Sequence, residues 1–400
     1  MYSKKINKGF VILLLGFLAA ISPFAIDMYL PAFKQIAQSF TTTTARISLS
    51  ISSYFIGLAV GQLMYGPLLD RYGRKKPLYL GLLIFVAASI ACMYASSVEA
   101  LVAFRFVQAV GGCVAWVGAM TMVRDFFPVS ESAKIFSLLI LVIGLSPLLA
   151  PTLGGYMSTA MGWQWVFAFL AAFVLVILLA VFFFLPEPHG PDPEVSLKAG
   201  PMIRTFYSVL THPPFYTYAL SGAFSFAAMF IYVSGSPMIF LEIFKVSTTQ
   251  YGIIFAILSI GFIGGNQVNI LLLRFFSSMQ IFKTALIAQN IVSIVFFISV
   301  YNNWLGLYST LIFFFLILAC LGFTYPNASA LAINSFTRNI GSASAMAGFL
   351  QISIAGLVSG VVGAINPKTS TPLIAMLVAI ALIALAILSA GKKTRLALSA

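Results

Sequence analysis

Long apolar runs, each close to twenty residues and separated by short polar segments, follow one another from Gly9 to the C-terminal region. A run of about 20 apolar residues crosses the ~30 Å hydrocarbon layer of a bilayer as a helix, whereas a membrane barrel shows alternation over segments of about 10. The pattern predicts an all-α membrane protein with twelve spans, at Gly9–Pro31, Ile47–Leu69, Pro77–Ser96, Ala100–Val123, Ala133–Met157, Trp163–Leu185, Phe215–Gly235, Tyr251–Arg274, Phe282–Tyr301, Leu305–Asn327, Gly341–Ile365 and Pro372–Gly391. Lys4, Lys5 and Lys8 precede the first run in the manner of a signal peptide. No small-x-small cleavage site closes that run, and it stays apolar to Tyr29, so it reads as a retained span.

The connections are short except for the stretch from Pro186 to Pro214, which opens with four prolines in eight residues and carries an amphipathic piece near Met202–Leu210. This divides the chain into a first six-helix bundle (1–186), a cytoplasmic linker (187–213) and a second six-helix bundle (214–400). Sliding one half over the other by 204 positions sets Gly57 and Gly61 on Gly261 and Gly265, Asp70 on Arg274, and Gly144 on Gly348. A repeated pair of bundles is a transporter architecture, with the solute path between the halves.

Composition agrees. Some 61% of residues are apolar and 8% are charged, against roughly 25% charged in a soluble domain. A soluble enzyme and a disordered chain are both excluded. The net charge of +13 reads as membrane topology rather than nucleic-acid binding. With the N-terminus inside, 17 of the 22 Lys and Arg fall in cytoplasmic segments, 4 fall outside, and Arg105 lies within a span. That bias predicts a multi-pass membrane protein with both termini in the cytoplasm. Cys92, Cys113 and Cys320 all sit in apolar runs, as buried inert thiols do. His189 and His212 are isolated in the linker, so no metal site is expected. No phosphate-binding loop and no catalytic constellation can be assembled, so neither a cofactor nor enzymatic activity is expected.

Three segments carry more than hydrophobicity. Between spans two and three runs Gly66-Pro-Leu-Leu-Asp70-Arg71-Tyr-Gly73-Arg74-Lys75-Lys76. There Gly66 is expected to admit a close helix and Gly73 to form a tight turn. Asp70 is expected to accept hydrogen bonds from arginines or from a helix N-terminus. Span four contains Leu101-x-x-x-Arg105-x-x-Gln108-Ala109-x-Gly111. Span five contains Gly144-Leu-Ser-Pro147-Leu-Leu-Ala150-Pro151-x-x-Gly154-Gly155, whose glycines and prolines suit a kinked, tightly packed helix.

These segments resemble motifs of the major facilitator superfamily, with Ala109 where the family pattern has glycine. The span-five segment is similar to the motif of its drug:proton antiporters. Ser22-Pro23-Phe-Ala-Ile-Asp27-Met28-Tyr29-Leu30-Pro31 in span one resembles the Bcr/CflA-type exporters of bicyclomycin and chloramphenicol. Trp163-Gln-Trp165 and Leu185-Pro186-Glu187 fit the same group. The resemblance implies the major facilitator fold, a monomer, and a gating role for Gly66, Asp70, Arg71, Gly73, Arg74, Arg124, Gly144, Pro147, Pro151, Gly154 and Gly155.

Asp27 lies well inside the first apolar run. A charge at mid-membrane costs at least ~2.5–3.5 kcal/mol on insertion scales, and residues that bear it usually line a water-filled cavity. Asp27 is therefore the candidate proton carrier, the alternatives being a static pair with Arg105 or a place near the outer membrane edge. Arg105 is expected to tune Asp27, to hold span four to span one, or both. Tyr29, Tyr54, Gln108, Tyr232 and Asn266 are candidates for lining a cavity that takes a flat apolar solute. The expected function is proton-coupled efflux of small lipophilic drugs by alternating access, with a small molecule, protons and the lipid bilayer as partners. The alternative is export or import of a dedicated endogenous solute such as a siderophore or metabolite.

Overall fold

The computed structural model describes residues 8–127, 146, 149–188, 190–192, 200, 207–333, 336, 340–365 and 369–398. Every regular element among them is helical. The long helices are α1 (Lys8–Asp27), α2 (Thr44–Tyr72), α3 (Lys75–Met93), α4 (Val98–Phe126), α5 (residues 149–160), α6 (Gln164–Phe184), α7 (Pro213–Pro237), α8 (Thr248–Leu272), α9 (Ser278–Tyr301), α10 (Leu307–Ile333), α11 (Ile340–Ile365) and α12 (Thr371–Leu398). Eleven described helices are long and apolar enough to cross a bilayer. The expected span Ala133–Met157 is described only at 146 and from 149 onward.

Local chemistry sets the helix ends. Ser247 and Ser277 cap α8 and α9, and Gln250 and Gln280 reach back to complete capping boxes. Thr43 and Ser97 cap α2 and α4. Gly73 adopts φ +81 at the end of α2, a conformation costly for a residue with a side chain, and turns the chain into α3. The first span differs from the continuous run expected. The α-helix stops at Asp27, and a 3₁₀ turn (Leu30–Ala32) and a short helix (Phe33–Ser39) follow. Pro31 explains the break, since it lacks an N–H and disfavours the helical conformation at Leu30. At the other junction, Pro237 ends α7 and the chain widens into a π-turn over Met238–Ile243.

The helices form two bundles. In the first, α4 packs on α1, α2 and α3, and α6 on α1 and α3; in the second, α7 packs on α10, α11 and α12, and α10 on α8 and α9. Small residues bring the axes together, as expected where lipid supplies no hydrophobic drive between helices. A Cβ on Gly57 would meet the Phe106 carbonyl oxygen at 2.5 Å, and one on Gly61 the Cys113 Cβ at 2.6 Å, so α2 lies directly on α4. Gly261 and Gly265 press α8 on α10 in the same way, against the carbonyls of Phe315 and Ala319. Large side chains such as Phe182, Phe183, Ile260 and Leu357 are exposed on the outer wall, where lipid would cover them.

Across the bundles, α2 lies along α11. Gly356 rests on Phe55 and Ile56, and Gly363 on Leu49 and Ala45. Three serines also cross there, the Ser52 hydroxyl donating to Ser359 at 2.9 Å and Ser359 pairing with Ser234 at 2.6 Å. Gly66 corrects an expectation: a Cβ there would meet nothing within 4 Å, so it admits no close helix. The two α2 glycines should therefore respond oppositely. Gly61→Val should lower the stability of the purified protein by ~1–3 kcal/mol through overpacking. Gly66→Ala should leave it unchanged or raise it by up to ~1 kcal/mol. Thermal unfolding in detergent reads both.

Candidate functional site

At the end of the molecule that carries the α2–α3 turn, Arg74 is 6% exposed despite its charge. Its guanidinium donates to Asp70 at 2.5 Å and to both carboxylate oxygens of Asp125 at 2.7 and 3.5 Å. Burial lowers the pKa of Arg74, but the hydrogen bonds and charges of Asp125 and Asp70 outweigh it and hold it above its ordinary value. Glu187, just past α6, caps the start of α3 by accepting from the backbone N–H of Arg74 at 2.7 Å and Lys75 at 3.1 Å. The Asp192 N–H donates to the Asp70 carbonyl, which ties the start of the linker to the same corner. The turn segment is thus bound to α4 and to the exit of α6.

A cavity of about 790 Å³ lies between the bundles at this end. Its mouth carries Asp70, Arg74 and Asp125, and Gln62, Trp116, Tyr325 and Gln351 also line it. Aromatic rings bridge the bundles beside it. Tyr325 stacks on Phe226 at 4.6 Å, Phe226 meets Phe230 at 5.6 Å, and Phe230 meets Phe55 of the first bundle at 4.5 Å.

Arg105 is fully buried in the first bundle. Its guanidinium lies over the rings of Tyr54 (4.2 Å), Tyr29 (4.8 Å) and Phe167 (5.9 Å). It donates to Gln108 Oε1 at 2.6 Å, and Gln108 in turn donates to Ser89 at 2.7 Å. Nε and one terminal nitrogen of Arg105 have no hydrogen-bond partner, so the rings carry much of its stabilisation. Asp27 is 7% exposed, and among the described residues its carboxylate has neither a hydrogen-bond nor an ion-pair partner. It sits at the seam between bundles, within electrostatic reach of Tyr232 and Tyr251.

The far end is closed. A Cβ on Gly154 would overlap the Met28 carbonyl, which locks α5 against the end of α1. Gly155 packs against Thr248 and Pro31, and the Thr159 and Thr248 hydroxyls lie 3.3 Å apart.

The candidate residues thus separate into layers. Asp70, Gly73 and Arg74 meet at the mouth, where Arg71 follows Asp70 on α2, and Gly66 lines the cavity. Tyr29, Tyr54 and Gln108 surround Arg105 and lie outside the cavity lining, as do Asp27, Tyr232 and Asn266. Tyr232 stacks on Phe255, and the Asn266 backbone packs against Gly322 of α10. Pro151, Gly154 and Gly155 belong to α5. Gly144, Pro147 and the side chain of Arg124 lie outside the described residues. Sequence reasoning missed Asp125, whose one signal is its place beside Arg124 at the end of span four. It also missed Gln62, Trp116 and Tyr325, because one chain does not reveal which face of an apolar helix meets a cavity.

Twelve helices in two bundles, with a cavity between them open at one end, define a membrane transporter rather than an enzyme. The chain belongs to the major facilitator superfamily, whose description, "Major Facilitator Superfamily", matches residues 15–360. It is 31% identical over 375 residues to the uncharacterized MFS-type transporter YdgK of Bacillus subtilis, covering 92% of each chain. It is 27% identical over 372 residues to a bicyclomycin resistance protein homolog of Haemophilus influenzae, covering 91% of each. A crystal structure of a D-xylose–proton symporter has the same fold, with a TM-score of 0.74 at 15% identity over 94% of this chain and 97% of that one.

The mouth cluster generates a stability prediction. Arg74→Gln strands Asp125 beside a half-made network and should cost roughly 1–3 kcal/mol, read as a lowered thermal midpoint in detergent. Arg74→Lys should recover only part of the loss, because an ammonium cannot serve both carboxylates with a planar fork.

Proposed function

We propose that the protein exports small lipophilic solutes in exchange for protons, by alternating access of its two bundles, from a bacterial inner membrane with both termini in the cytoplasm. The excess of Lys and Arg at the turn end supports that orientation. In this reading the cavity described above faces the cytoplasm, and the Gly154–Met28 and Thr159–Thr248 contacts close the outer side.

One observation carries the proton assignment: Asp27 is a buried carboxylate with no partner among the described residues to hold its charge. An unpaired buried carboxylate favours its protonated form, and exposure to water favours release. Asp27 and Arg105, both buried, form no ion pair, so the static-pair alternative has no support in the geometry. Solute from the cytoplasm occupies the cavity, the bundles rock, and a proton from outside reaches Asp27 on the return. The driving force suffices. An inward proton releases ~2.3 kcal/mol at 100 mV, and one pH unit adds ~1.36 kcal/mol. Their sum sustains a gradient of about 500-fold for an uncharged solute at one proton per cycle. The relative named a bicyclomycin resistance protein homolog supports the direction and the solute class.

Asp27→Asn should fold and still exchange labelled solute across reconstituted vesicles, yet lose accumulation driven by an imposed pH gradient. Undiminished gradient-driven transport by this variant would remove Asp27 as the carrier.

A further inference from the structure

The inner part of the cavity has a polar element that the proton pathway does not use. Gln62 reaches it from α2 of the first bundle, and Gln351 from α11 of the second. Gly348 lies one turn from Gln351 on the same face of α11 and also lines the cavity. The position a Cβ would take on Gly348 is 3.0 Å from Gln62 Oε1, so the Gln62 amide crosses the interface and rests where α11 has no side chain. That Oε1 is buried and accepts no hydrogen bond. A buried acceptor without a donor costs roughly 1–3 kcal/mol, and a ligand that donates to it recovers that cost.

The surroundings define what such a ligand looks like. Trp116 and Tyr325 offer aromatic faces, and the Phe226 ring fixes Tyr325. Among the lining residues the charged side chains are Asp70, Arg74 and Asp125, all at the mouth. Arg74 is already engaged by both carboxylates. A solute carrying a formal charge finds no counter-charge among the lining residues beyond the mouth, and burying an unpaired charge is prohibitive.

We propose that Gln62 and Gln351 form a two-bundle amide clamp for an uncharged aromatic solute that bears an N–H or O–H donor. The proposal rests on the transport reading above and names the solute class of that cavity. Because one amide comes from each bundle, rocking of the bundles changes the spacing of the two amides and with it the grip on the solute.

The test is equilibrium dialysis of the full-length purified protein in detergent, without a gradient, using three molecules with one aromatic body. These are chloramphenicol, which is uncharged and carries amide and hydroxyl donors, its anionic succinate ester, and the cationic amine left when its acyl group is removed. Chloramphenicol should bind at least tenfold tighter than either ion. Gln62→Leu and Gln351→Leu should each weaken it by about five- to tenfold, the worth of one neutral hydrogen bond, with a thermal midpoint that is not lowered. Gly348→Ala keeps the glutamine and displaces its amide, so it should weaken binding in wild type and have no further effect in Gln62→Leu. Unaltered affinity in both leucine variants, ions that bind as tightly as chloramphenicol, or no binding of chloramphenicol at millimolar concentration would each overturn the clamp. Binding is read without proton movement, so failure of Asp27 as the carrier leaves these outcomes unchanged. Failure of the clamp leaves the vesicle assay standing.

Discussion

Hydrocarbon offers a helix no hydrogen bonds, so every backbone polar group within these spans must be satisfied by the protein itself. This constraint makes the backbone helical throughout and turns polar side chains inward, where they pair across helices. Gln289 and Thr324 meet at Ser225, Asn327 donates to Asn269 at 2.6 Å, and Gln108 links Arg105 to Ser89. The same solvent removes the hydrophobic drive for helix association, so close packing depends on small residues. Gly57, Gly61, Gly265 and Gly322 stand at close crossings. The cavity exists because the chain departs from this rule on a few faces, where α2, α4, α10 and α11 turn amides and rings toward an opening.

The charges divide by how they meet that constraint. Arg74 is fully engaged by Asp70 and Asp125, and this fixes the turn end of the first bundle. Arg105 is held by three aromatic faces and a single neutral hydrogen bond, which suits a guanidinium because its hydration is weak and its plane stacks. Among the described residues Asp27 has neither kind of support. A fixed structural charge would be compensated as Arg74 is, so the missing partner sets Asp27 apart from the other buried charges. The proposed cycle separates the proton from the solute in space: Asp27 lies outside the cavity lining, and the exchange between the two runs through motion of the bundles.

Much of this architecture is legible in the sequence because bilayer thickness imposes a length on each helix. The spans, the 204-residue echo of the glycines and the turn at Gly73 all follow from local pattern. The turn motif also marks Asp70 as an acceptor for an arginine or a helix N-terminus, and the structure supplies the arginine as Arg74. What escapes is direction. Helices apolar on every side do not say which face meets lipid, so Tyr29 and Tyr54 look as suited to a cavity as Trp116 and Tyr325, although they pack on Arg105. Gly66 reads as a packing glycine but lines open space. Gln351 is visible as a polar residue in span eleven, while its relation to Gln62 depends on the contact of Gln62 with Gly348, a distant position in the sequence.

The chain of hydroxyls from Ser52 through Ser359 to Ser234 bears on how easily such a molecule comes apart. A hydroxyl both donates and accepts, so each member finds an equivalent partner in water as soon as the helices separate. A seam closed by interlocked aliphatic chains would expose apolar surface on parting and hold one state far below the other. The serine link offsets part of the apolar surface that Phe55, Ile56 and Leu49 would expose on parting from α11. A carrier spends its time crossing between states, and its turnover falls when either becomes a trap. Weak joints of this kind keep the landscape level, so that the work of each crossing can be set by what is bound.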